Sequence, residues 1–162
     1  MNSQYLAAVD GSRCSLKLAG RLTCHGCAAF DSFCGELTRG SDVDTIELDL
    51  LSAEYLDSTN IGLIAGLAEY QLRKTGRKME VLIEPGDLST VLRSMGLEEL
   101  MNLGTTRASD PPPFYREIQE RPEAARTLQS MMYASHKTLS DLNEKNRKTF
   151  SSLLDLLGKE TR

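Results

Sequence analysis

Ile46-Glu47-Leu48-Asp49-Leu50 and, a few residues on, Tyr55-Leu56-Asp57-Ser58-Thr59-Asn60-Ile61-Gly62-Leu63-Ile64 carry the change of period that decides the fold. Ile46, Leu48 and Leu50 alternate with Glu47 and Asp49, which reads as a β-strand with one apolar and one wet face. From Ile61 the apolar residues recur at helical spacing, through Ile64 and Ala68 to Leu72. Gly76 closes that helix behind Arg73 and Lys74, whose charges suit its negative end. The handover from strand to helix passes through Asp57-Ser58-Thr59-Asn60. It places Ser58 at a helix N-terminus with its hydroxyl exposed, where a serine can serve simply as an N-cap worth about 1 kcal/mol.

The same alternation extends in both directions. Tyr5 to Val9 reads as a strand, paired with a second in which Leu16 and Leu18 alternate with polar neighbours ahead of Gly20-Arg21-Leu22. Cys27, Phe30, Cys34 and Leu37 follow on one helix face. After the central helix, Met79 to Ile83 is a short buried strand and Pro85-Gly86 turns the chain. Asp87 is placed to cap a helix carrying Leu88, Val91, Leu92 and Met95. The order β-β-α-β-α-β-α predicts an α/β layer fold, a small mixed sheet of four to five strands packed with helices.

The 162 residues carry a net charge of −4, with 40% hydrophobic residues and no Trp. That is enough apolar content for a packed core and too little clustered positive charge for nucleic acid as the main partner. No apolar run approaches the length of a membrane span, and Met1-Asn2-Ser3-Gln4 opens no basic-then-apolar leader, so a cytoplasmic protein is expected. The charge is uneven. Residues 114–162 hold 9 basic and 7 acidic side chains, which leaves the acidic excess in residues 1–113. Composition shifts at the same place, at Pro111-Pro112-Pro113, which no helix interior or central strand can cross. The expected division is a domain over 1–104, a Pro-rich linker over 105–113 and an amphipathic helical tail over 114–162. In the tail Phe114 to Glu120 predicts a short helix. Beyond Pro122 a long helix over 122–157 is expected, its stripe running through Leu128, Met132, Leu139, Leu142, Leu153 and Leu156. Such a stripe needs a cover, and three stay open: its own domain, a second copy in a homo-oligomer, or a partner.

The central segment resembles the STAS domain, the fold of bacterial anti-sigma factor antagonists and of sulfate-transporter tails. The likeness covers about residues 4–104: the strand to Leu50, the Asp57-Ser58-Thr59-Asn60 turn, the early Gly20-Arg21-Leu22, and a closing Gly96-Leu97 with Leu103. It departs where the family turn has Gly and this chain has Asn60, a residue that tolerates left-handed geometry. The resemblance implies a bacterial, non-enzymatic partner-switching regulator of transcription. Ser58 would be the phosphoacceptor, with Thr59 as second choice, and Asp57, Ser58, Thr59, Asn60, Ile61 and Gly62 would meet the partner. That partner would be a serine-kinase-type anti-sigma factor, with a PP2C-type phosphatase resetting the switch. A phosphate at Ser58 would gain from unpaired helix N–H groups and add about −2 of charge to an acidic surface.

Competing signals are few. Cys24-His25-Gly26-Cys27, with Cys14 and Cys34 nearby, admits a thiol oxidoreductase or a zinc site. No second Cys-x-x-Cys completes a tetrahedral set, and Cys27 and Cys34 share the apolar stripe of Phe30, where thiols act as small hydrophobes. His136 lies far along the tail with no evident partner, and no phosphate-cradling glycine loop occurs. No catalytic residue, metal or cofactor is therefore expected. The alternative within the same fold is a scaffold or oligomerisation protein acting through its tail, with Ser58 as a cap.

Overall fold

The computed structural model describes residues 2–160; residues 1, 161 and 162, the outer ends of the expected domain and tail, lie outside them. The alternating residues near the N-terminus form β1 (Gln4–Asp10) and β2 (Arg13–Leu22), an antiparallel hairpin turning on Gly11. Then come α1 (Ala28–Thr38), β3 (Thr45–Asp49), β4 (Ala53–Leu56), α2 (Ser58–Thr75), β5 (Met79–Leu82), α3 (Asp87–Ser94) and β6 (Met101–Gly104). The chain ends with β7 (Arg116–Glu117), α4 (Leu128–Ser140) and α5 (Glu144–Glu160).

The sheet runs β6-β5-β3-β2-β1-β7, with β4 paired to the far end of β2. Pairings from β2 through β3 and β5 to β6 are parallel; those of β1 with β2 and β7 are antiparallel. The sheet is mixed, as expected, but has seven strands. The three that periodicity missed, β4, β6 and β7, are too short to show a period. The register of β2 shifts between Gly20, at φ 82°, and Arg21, so one long strand pairs with β3 over its first half and β4 over its second. That bend brings the end of β4, and hence Asp57, beside the end of β2.

Phe30, Ile61, Ile64 and Leu67 from α1 and α2 pack with Leu16, Leu18, Ile46 and Leu48 from the sheet, each 0–1% exposed. Full burial of such a side chain contributes about 1.5–3 kcal/mol. Gln71, inside α2, donates to the Arg77 and Lys78 carbonyls and accepts from the Ile46 amide, tying helix to sheet. Gly76, at φ 73°, ends α2 in the left-handed conformation the sequence predicts. At α3 the cap differs: Ser89 Oγ accepts from the Gly86 amide and donates to its carbonyl, and Asp87 begins the helix instead of capping it.

Glu47 and Asp49 correct the wet-face reading of β3, being 5% and 3% exposed. The proline-rich segment crosses them. Arg107 pairs with Glu47 at 3.4 Å and Asp49 at 2.5 Å, and Ser109 donates to Glu47. The tail also departs from expectation. Phe114 to Glu120 holds β7 instead of a helix, because an extended chain leaving three prolines meets the unpaired edge of β1. The single helix over 122–157 is two helices. Asn143 breaks it by accepting from the Asn146 amide as a new N-terminal cap, while both side-chain amides donate to the Met95 carbonyl. The resulting hairpin packs α4 on α2 and α5 on α4. It buries Met131, Leu139, Phe150 and Leu157, whereas Leu156 is 58% exposed, so the inward stripe is shifted from the one read in the sequence. This chain's own domain covers that stripe. No helix among the described residues is long and apolar enough to cross a membrane.

Candidate functional site

The end of β2, the turn after it and the start of α2 are stitched together by one carboxylate. Asp57, extended at ψ 170°, is the N-cap of α2. Its Oδ1 accepts from the Asn60 amide at 3.0 Å and from Asn60 Nδ2 at 2.9 Å, and its Oδ2 accepts from the Cys24 amide at 2.5 Å. The Asp57 amide donates to the Leu22 carbonyl, which closes the loop between the two strand ends. Asp57 is thus the cap, and Ser58 is the first helical residue. Half-buried, Ser58 stands at the positive end of an eighteen-residue helix, directly after its cap Asp57.

The other named residues turn inward. Thr59 is 2%, Asn60 0% and Ile61 1% exposed. Ser58 is therefore the more accessible of the two hydroxyls. Asn60 and Ile61, expected among the partner contacts, face the core. Asn60 does not use left-handed geometry either, since no described residue other than glycine has a positive φ. Its side chain instead links two buried groups: its carbonyl oxygen accepts from the Tyr5 hydroxyl at 2.7 Å and its amide donates to Asp57. Tyr5 stacks on Phe30 with ring centroids 5.1 Å apart, and burial pushes its phenol well above the usual range. The network Tyr5–Asn60–Asp57–Cys24 holds the first turn of α2 rigid while leaving Ser58 at its outer rim.

His136 is the residue whose position the sequence hides. It lies on α4, 2% exposed, with Nε2 2.7 Å from Ser58 Oγ and Nδ1 2.5 Å from the Met132 carbonyl. A carbonyl only accepts, so Nδ1 carries a proton. In the neutral ring Nε2 is then an acceptor, and the Ser58 hydroxyl donates to it. Phe150 packs edge-on at 5.3 Å and fixes the ring plane. This corrects the reading of His136 as partnerless. A serine–imidazole contact of this kind is the opening of a nucleophilic site, yet a carbonyl and not a carboxylate stands behind the ring. The adjoining cleft, about 360 Å³, is lined by Gly62, Gly66, Glu69 and Ser135 and not by Ser58 or His136.

Gly62, the last residue of the expected partner face, lies under α4. A Cβ there would sit 2.4 Å from the Ser135 carbonyl oxygen. Gly62 is the one sequence signal for this contact, since a missing side chain lets a second helix approach closely. Nothing in spacing or composition pairs Ser58 with a histidine 78 residues away.

Cys24 and Cys27 contribute backbone more than sulfur. Cys24 presents its amide to Asp57, and Cys27 Sγ donates to the Cys24 carbonyl at 3.3 Å. Burial and the neighbouring Asp57 charge push the Cys27 thiol up to about 12 and raise that of Cys24, which holds both in the unreactive protonated form. All four cysteines are free, and no group of three or more metal-binding side chains occurs among the described residues.

With this geometry in view, the fold has known counterparts. The anti-sigma factor antagonist SpoIIAA in its unphosphorylated form superposes with a TM-score of 0.51 at 17% identity, over 65% of this chain and 90% of that one. The Bacillus cell fate determinant SpoIIAA in the phosphorylated form gives a TM-score of 0.49 at 21% identity, over 64% and 92%. The chain thus has the fold of an anti-sigma factor antagonist, a mixed sheet packed with helices, to which a C-terminal helical extension is added. No protein-family model and no curated protein matches the sequence.

Proposed function

We propose that this chain is a non-enzymatic partner-switching regulator of the STAS type, an anti-sigma factor antagonist whose partner binding is controlled by phosphorylation of Ser58. The observation that carries the reading is the position of Ser58: the rim residue at the N-terminus of α2, capped by Asp57, on a fold shared with SpoIIAA. The partner is a serine-kinase-type anti-sigma factor of the bacterial cytoplasm. The γ-phosphoryl group of ATP passes to Ser58 Oγ, ADP leaves, and the hydroxyl proton goes to a base on the kinase. A PP2C-type phosphatase reverses the step by water attack on phosphorus, returning serine and inorganic phosphate. In the unphosphorylated state the surface around Asp57 and Ser58 binds the anti-sigma factor and frees a sigma factor. The added charge of about −2 beside Asp57 ends that complementarity with little change inside the fold.

The test is incubation of the full chain with ATP, magnesium and the kinase-type anti-sigma factors encoded beside its gene, with the phosphate located by mass spectrometry. Phosphate on Ser58, with loss of binding in Ser58→Asp and retention in Ser58→Ala, is expected. No phosphate under any condition, with both variants binding alike, sinks the switch. The bond from Ser58 to His136 favours a second reading, in which Ser58 is a structural tie and the protein works through its helical extension. Under that reading Ser58→Ala loosens the extension and leaves partner binding unaffected.

A further inference from the structure

The hairpin of α4 and α5 lies on the same flank of α2 that a partner would have to use. Its seat is narrow and backbone-deep. A Cβ on Gly62 would approach the Ser135 carbonyl oxygen to 2.4 Å and its carbon to 2.7 Å, whereas one on Gly66 would meet nothing within 4 Å. Above the seat, His136 engages the Ser58 hydroxyl. Below it, Asn143 and Asn146 hold the Met95 carbonyl, and Lys145 donates to the Ser94 carbonyl. Arg126 pairs with the buried Asp31 and anchors the approach to α4. Between β7 and α4 the chain carries one short helical turn, Pro122–Ala124, so the hairpin can leave without unpairing the sheet.

We infer that the α4–α5 hairpin is a displaceable cover of the Ser58 face: while it is seated, a partner kinase cannot engage the N-terminal half of α2, and its release precedes both binding and phosphorylation. The inference rests on Ser58 being the phosphoacceptor. Three observations support it. The hydroxyl that must accept the phosphoryl group is bonded to His136, and the helix face next to it is in contact with the Ser135 backbone. The cover is held by polar ties at its two ends and by Met131, Leu139 and Phe150 between them, so single substitutions at these points can loosen it. An occupant tethered in the same chain also needs only a modest preference, since a closed-to-open ratio of about ten lowers apparent partner affinity about tenfold. Linkage makes the effect reciprocal. A partner that binds only the open form favours the released hairpin by the same factor by which the seated hairpin lowers its affinity.

Gly62→Ala is the probe, because the added methyl group runs into Ser135 of α4 while alanine improves α2 as a helix; Gly66→Ala is its control. Hydrogen exchange of residues 128–160 in the full chain reads the hairpin. The rate of Ser58 phosphorylation and the affinity for the kinase-type anti-sigma factor read the face beneath it. Gly62→Ala is expected to speed exchange across α4 and α5 and to raise phosphorylation rate and affinity by about tenfold or more, with Gly66→Ala unchanged. Leu139→Asp, which removes a fully buried anchor of the cover, should act alike. Faster exchange with unchanged or slower phosphorylation overturns the cover and leaves the switch standing. Unchanged exchange in both opening variants overturns it as well. Absence of phosphorylation and binding in every variant overturns the underlying reading, and the cover with it.

Discussion

Asp57 accepts three hydrogen bonds from two segments, and the first turn of α2 depends on all of them. Removing the carboxylate leaves the Asn60 and Cys24 amides without their acceptor. Asp57→Ala should therefore destabilise the chain by about 2 kcal/mol, the sum of a lost N-cap and a buried donor left unpaired. Urea unfolding checks it: the midpoint should fall while the slope stays constant. Asn60 gives a sharper test, because its side chain bridges two buried groups. Asn60 is fully buried and bonds both Tyr5 and Asp57. Asn60→Gly should cost about 1–3 kcal/mol, since it orphans the Tyr5 hydroxyl and puts glycine inside a helix. A neutral or stabilising result would show that the Tyr5–Asn60 bond contributes nothing.

Among the elements, the strands and helices of the first hundred residues were legible because their apolar faces obey a period of 2 or 3.6 over enough residues to be counted. Leu16 and Leu18, Ile46 to Leu50, and Ile61 to Leu72 all lie where their spacing predicts. The errors arise where a distant segment decides the environment. Glu47 and Asp49 look like solvent-facing residues, and only the arrival of Arg107, some sixty residues later, makes them a buried acidic pair with a cation. Asn146 reads as one more polar residue in a helical seam until the Met95 carbonyl gives its side chain a partner. The candidate site divides in the same way. The strand–Asp57-Ser58–helix turn is local and was readable; the imidazole on Ser58 is a tertiary fact. Arg107→Ala tests the first of these long-range ties. It leaves the nearly buried Asp49 without its cation and Glu47 with Arg13 alone, at 3.8 Å; breaking a fully buried pair costs about 3–5 kcal/mol. With Arg107 itself 30% exposed, solvent screens part of that, and about 1–3 kcal/mol is expected in thermal or urea unfolding. A loss no larger than that of the exposed Lys148→Ala would show that water replaces the guanidinium.

Across the whole molecule the site and the core share one electrostatic feature, a set of buried groups kept neutral at physiological pH. Burial pushes the Cys14 thiol up to about 12. Burial together with the Asp57 charge does the same to Cys27, and Cys34 is raised well above the ordinary 9.0. Their folded values exceed the unfolded one, so the protonated thiol is favoured in the native state. Its contribution to stability is complete below pH 9 and is lost as the pH rises toward 12, because the unfolded chain releases these protons first. The raised Tyr5 phenol acts in the same direction at the upper end of that range. Urea midpoints at pH 7, 9 and 10.5 should therefore be nearly level to pH 9 and then fall. The decisive comparison is Cys14→Ala, which removes one titrating group from the start of β2. Its stability loss between pH 9 and 10.5 should be smaller than that of the unsubstituted chain, and equal losses would assign the alkaline lability to the surface. The same protonation sets the order of thiol reactivity in the native protein. Cys24, the one thiol not buried, should be modified first, and Cys14, Cys27 and Cys34 only on unfolding.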